Sequence, residues 1–183
     1  MTVRHIKAGQ TSEGCLIPNW MKFALNEQGV EERDGPKANP RILEYFKAAK
    51  FWGTDDSTAK NAWCGCFVAW VMDAAGYEIA KEAYRAKEWM SNWPKGRKIK
   101  NPIYGAIAVK SRSGGGHVGF VMGSIPGKPH LLAVLGGNQD NEVNVTAFKA
   151  SDFEAFMVPT SYDDTNCTLL PYIDEYEDPK SLT

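Results

Sequence analysis

Apolar residues recur at helical spacing through the first half of this chain and at strand spacing through the second, with the change near Tyr104. Pro18, at a position that a first helical turn tolerates, precedes Trp20, Phe23 and Ala24, a short helix that should end near Gly29. Pro40 opens a second helix over 41–50, with Ile42, Leu43, Tyr45 and Phe46 on its apolar side. The third occupies NAWCGCFVAWVMDAAG, residues 61–76, where Cys64, Phe67, Val68, Val71 and Ala75 share a face. Asn61 reads as its N-cap and Gly76 as its left-handed stop. Residues 83–89 read as a fourth helix. Short β runs follow at 105–109, 117–123, 131–135, 142–148 and 155–159, separated by Gly, Pro and Asn-Asp turns. Helices first and strands afterwards predict an α+β fold, with N-terminal helices packed on a C-terminal antiparallel sheet. At 183 residues and 43% hydrophobic the chain reads as a single catalytic domain over 1–183. Residues 1–17 form a polar arm and 163–183 an acidic wrap or tail, loosest after Glu177.

The chemistry sits at the change of pattern. A thiol in the first turn of a helix feels the positive end of the dipole and the unpaired N–H groups there. Both favour thiolate, which predicts a Cys64 pKa below the free value of roughly 8.5. Taken alone, Cys64 and Cys66 read more simply as small buried hydrophobes. His117 changes that balance, because it opens a strand behind the glycine run 114–116. A cysteine at a helix start and a histidine at a strand start are what Cys–His nucleophilic catalysis requires.

Net charge is −1 and the pI about 6.3, which argues against nucleic acid or an anionic membrane as the main partner. No apolar run approaches the roughly 18 residues of a membrane span. The N-terminal stretch lacks the apolar core of a signal peptide, so export by that route is not expected.

The blocks Trp63-Cys64-Gly65-Cys66-Phe67-Val68, Gly105-Ala106-Ile107-Ala108-Val109, Gly116-His117-Val118-Gly119-Phe120-Val121 and Leu135-Gly136-Gly137-Asn138-Gln139 follow one another in order. Together they resemble the CHAP and NlpC-type branch of the papain-like hydrolases, which cut peptidoglycan. The likeness runs from about Trp20 to Val145. It implies a papain-like fold, Cys64 as nucleophile, His117 as base and Asn138 as the polar residue that orients the imidazole. Gln139 is the alternative orienter or an oxyanion donor. Many CHAP members carry a glutamate two residues before the asparagine, where this chain has Gly136. A segment that lines the cleft in related proteins corresponds to Ala86-Lys87-Glu88-Trp89, so Trp89 and Trp93 are candidates for an aromatic wall, as is Trp63 for substrate contact. Trp20, Tyr45 and Trp52 read as core. The run 95–100, KGRKIK, reads as a solvated loop.

The resemblance implies an amidase or endopeptidase acting on the peptidoglycan peptide stem, with no cofactor and no metal. Its setting would be a phage lysin or an antibacterial effector injected by a secretion machine such as type VI. An effector would be made in the cytoplasm, act in the periplasm of the target cell and be blocked there by a cognate immunity protein. Two other classes compete. Cys64, Cys66 and His117 or His130 are zinc-type ligands, although Cys-x-Cys leaves one residue where zinc motifs place two to four. A wall-binding module without activity is the other. Cys15 and Cys167 lie outside the Cys–His pair; they form either a bridge between the two chain ends or two free thiols.

Overall fold

The computed structural model describes residues 14–33, 38–56 and 61–178. His5, most of the N-terminal arm, the loop at Gly35-Pro36, Thr58 and the tail after Asp178 lie outside them.

Four helices precede or adjoin one six-stranded sheet: α1 (Trp20–Asn26), α2 (Pro40–Ala48), α3 (Cys64–Ala74) and the single turn α4 (Glu88–Ser91). The strands are β1 (Gly96–Ile99), β2 (Ile107–Arg112), β3 (Gly115–Ile125), β4 (Lys128–Gln139), β5 (Glu142–Lys149) and β6 (Phe153–Pro159). Their order is β1-β6-β2-β3-β4-β5, and every pairing is antiparallel. The α+β arrangement therefore stands as expected.

Local chemistry sets each helix end. Asn39 caps α2 by accepting from the Arg41 amide at 3.0 Å, with Pro40 at the first position, where no N–H is missed. Gly76, at φ 85°, ends α3. Its amide bonds to Asp73 O, and the next amide, Tyr77, reaches back to Met72 O, a Schellman closure. Asn61 is not the N-cap: Trp63 holds that position, while the Asn61 amide donates to Asp55 O at 2.8 Å. The residues 81–87 form turns, so the expected fourth helix shrinks to one turn. KGRKIK is not a free loop either. Gly96–Ile99 pairs with Phe156–Pro159 as the sheet's edge strand, and its cations are what keeps an edge from recruiting another chain.

The main core fills the space between α1–α3 and one face of the sheet. α3 is buried on almost every side, Cys66 included, because α1, α2 and strands β3 and β4 surround it. A smaller cluster, Leu132, Val134 and Phe148, lies apart from that core. Leu170 of the C-terminal segment packs on it. That segment is anchored by a Cys15–Cys167 disulfide and by parallel bridges from Tyr172 to Ser124 and from Glu177 to Thr146. The bridged form of the two terminal cysteines is thus the one present, leaving Cys64 and Cys66 free.

Candidate active site

The first turn of α3 carries Cys64, and two glycines let the rest of the chain close on it. A Cβ on Gly65 would lie 2.5 Å from Tyr84 O and 2.6 Å from Ala83 O, so the turns before α4 press directly on the helix mouth. A Cβ on Gly137 would meet Trp63 and Phe67 at 2.6–2.7 Å, so β4 lies flat against the same turn. The result is a thiol only 3% exposed. The backbone amide of Val118, next in chain to His117, lies on the thiol's side of β3 and favours its anion.

That burial reverses the expected titration. Loss of hydration pushes the Cys64 thiol above its ordinary value. The Arg112 charge and the amides of Val118, Gly65 and Cys64 oppose the rise without cancelling it. A helix terminus shifts a pKa modestly, whereas full desolvation disfavours an anion by more. Cys66 is pushed up as well, by burial and then by Cys64.

His117 is fully buried, and burial lowers its pKa to about 4, with the Gln139 hydrogen bond working the other way. Its Nε2 lies 2.9 Å from Gln139 Oε1. The Gln139 amide nitrogen donates to Val134 O, Asn144 O and Asn144 Oδ1 at 3.2, 2.7 and 3.0 Å. Three acceptors around that nitrogen fix which end of the side chain is oxygen, so Nε2 of the ring is the donor. Nδ1 is then the unprotonated nitrogen, and it is buried with no hydrogen-bond partner among the described residues. Thiol and ring do not meet in this structure: Phe120 packs on Phe67 of α3, whereas His117, an odd number of residues away along β3, lies against Phe148 and Gly136 on the other side of the strand.

Of the two candidate orienters, then, Gln139 reaches the ring and Asn138 does not. The reason is a break in the β4–β5 register between Gly136 and Gln139, where Asn138 has φ 56°, ahead of a turn with Asp140 and Asn141 at 55° and 65°. The irregularity turns Gln139 back over the strand. Gly136 makes this fit: a Cβ there would lie 2.5 Å from Gln139 Oε1 and 3.3 Å from His117 Nε2. Gly136 is thus a clearance for a glutamine that arrives three residues later. Beyond it, Asn144 Nδ2 donates to Gln139 O at 2.9 Å and Thr146 Oγ1 to Asn144 Oδ1 at 2.8 Å. Neither residue was singled out from the sequence. The available signal was two polar residues at alternating positions in an otherwise apolar run.

The aromatic candidates move. Trp89 and Trp63 are both fully buried, and Trp93 nearly so. The Trp89 indole donates to Ala83 O at 2.9 Å and that of Trp63 to Glu32 Oε1 at 2.8 Å. Trp89 and Trp93 pack edge to face at 5.2 Å. None of the three offers a face to substrate. Trp20 and Tyr45 are core as expected, but Trp52 is 75% exposed against Phe51 and Tyr84. Among the described residues no group of three or more His, Cys, Asp and Glu is gathered as a metal site, and no helix is long and apolar enough to cross a membrane.

The CHAP domain family model matches residues 54–133. The matched span holds Cys64 and His117 and ends before Asn138 and Gln139. No curated protein matches the chain, and no solved structure does.

Proposed function

We propose that this chain, carrying a CHAP domain match around its cysteine and histidine, is a papain-like cysteine hydrolase that cuts an amide bond in the peptide part of peptidoglycan. The observation that carries the reading is the bare Nδ1 of His117, held as a proton acceptor by the Nε2–Gln139 bond. Cys64 is the nucleophile, His117 the base and Gln139 the orienting residue. The match supports the substrate class; the tautomer supports the mechanism.

The resting pair is a neutral thiol and a neutral imidazole, since burial works against charge on both. Proton transfer from Sγ to Nδ1 therefore accompanies attack on the carbonyl carbon. The new oxyanion is received by amides at the start of α3, that of Cys64 among them. Nδ1–H then protonates the leaving amine as the C–N bond breaks, leaving a thioester. Water, giving its proton to Nδ1, attacks the thioester carbonyl. The acid is released, the thiol is restored and one water is consumed per amide cut. Gln139 holds the ring throughout.

The whole described chain acts as one catalytic unit, in an oxidising wall compartment where Cys15–Cys167 persists. There it serves as an antibacterial effector or a phage lysin, the effector paired with an immunity protein that covers Cys64. The test is digestion of purified peptidoglycan followed by mass spectrometry of the released muropeptides. New amine and carboxyl ends with the native chain, and none with Cys64→Ala, are expected. Equal product from both, or glycan cleavage without amide cleavage, overturns the reading.

A further inference from the structure

The β2–β3 hairpin sets two cations beside the imidazole. Lys110 lies opposite His117 in the ladder and Arg112 opposite Gly115, so all three side chains leave the same face of the sheet. Lys110 is engaged, its Nζ 3.3 Å from the Asp152 carboxylate and 4.8 Å from the Phe148 ring centroid. For Arg112, a half-buried residue, no hydrogen bond, ion pair or ring contact is present among the described residues. Its cross-strand neighbour has no side chain, and a Cβ on Gly114 or Gly115 would meet nothing within 4 Å, so the hairpin tip around it is open. Its field nonetheless reaches both reacting groups, favouring the Cys64 anion and opposing a charge on His117.

We propose that Arg112 forms a carboxylate-binding subsite beside the scissile amide, taking a free carboxylate of the substrate peptide, with the Lys110–Asp152 pair as its neutralised flank. A free guanidinium fork fits the two oxygens of a carboxylate in plane, which an ammonium cannot do. The occupant is an anion because the two cations on this face are balanced by one carboxylate. It is a peptide carboxylate because the proposed substrate presents these near its amide bonds. The inference rests on the amide-hydrolase reading of Cys64 and His117.

The test uses the full chain with Cys64→Ala, which binds without cutting, and calorimetry with a synthetic stem peptide as the free acid and as its carboxamide. The acid should bind more tightly than the amide. Adding Arg112→Gln should weaken the acid about tenfold, the loss expected for one charge-assisted pair, and leave the amide unchanged. Arg112→Lys should restore part of the difference. In the cutting enzyme, Arg112→Gln should raise KM for the acid substrate with kcat nearly kept. Equal affinity for the two peptides, equal losses for both in Arg112→Gln, or no measurable binding of the acid overturns the subsite. So does a shift confined to the pH profile of kcat, which would make Arg112 a modulator of His117 alone. If acid and amide are discriminated but the native chain cuts no amide, the subsite stands and the hydrolase reading falls.

Discussion

Cys64 and His117 are positioned by opposite means. The cysteine sits on a regular helix that is apolar on nearly every side, and close backbone packing at Gly65 and Gly137 holds it there. The histidine is held by an irregularity. A strand loses register, four polar side chains line up from His117 through Gln139 and Asn144 to Thr146, and each covers the next one's hydrogen-bonding need. A nucleophile needs only its place, which packing supplies. A base needs a chosen tautomer, and only directed hydrogen bonds choose between two ring nitrogens.

The contrast breaks most readily at the thiol. Cys64→Ala should lower the rate of amide cleavage on the order of 10⁴-fold or more, since no other group takes over nucleophilic attack. Cys66→Ala should keep the rate within a few-fold and cost about 1 kcal/mol of stability as a small core truncation. Rates on purified peptidoglycan, with melting temperatures of both variants, decide this. A dead Cys66 variant beside a lytic Cys64 variant would exchange their roles.

Acid tests the histidine end. His117 has a folded pKa of about 4 against 6.5 for the free group, so the unfolded chain binds the extra proton between those values. Stability from this group is complete above pH 6.5 and falls as the pH drops towards 4, by roughly 3 kcal/mol. Denaturant midpoints across that window should show a fall that flattens in His117→Gln. An identical slope in the variant would mean that the ring is not buried as described.

Smaller effects separate the members of the polar chain. Gln139→Ala should lower kcat about 100-fold by freeing the ring. Gly136→Ala should approach the same loss with the glutamine still present, because its Cβ would intrude on the Gln139–His117 pair. Asn138→Ala should be nearly neutral. A profile in which Asn138 matters more than Gln139 would contradict the register break.

What could be read beforehand divides along the same line. The helix at Cys64, its apolar face and its Gly76 stop follow from spacing alone, and so does the strand at His117. The thiol's titration did not, because a residue's place on a helix is local and its burial is not: the 83–84 backbone that seals Gly65 comes from another part of the chain. Gln139 was offered beside Asn138 but could not be preferred, since one residue's shift at a bulge decides which side chain faces the ring. The edge strand 96–99 was hidden by the cations that protect it. Trp63, Trp89 and Trp93 read as candidates for substrate contact because an indole looks the same in sequence whether its N–H finds a partner inside the fold or a ligand outside it.

The Cys15–Cys167 bridge gives this molecule a history as well as a shape. Cys167 roots the segment whose Leu170 lies on the Phe148 cluster, and the Phe148 ring is 5.6 Å from that of His117. Made in a reducing cytosol, the chain would carry that segment untied, held by its ladder and packing contacts alone. On reaching oxidising surroundings it would close a covalent loop across 152 residues, which limits the unfolded chain by roughly 5 kcal/mol less any strain. The last step of its maturation would then belong to the destination and not to the place of synthesis.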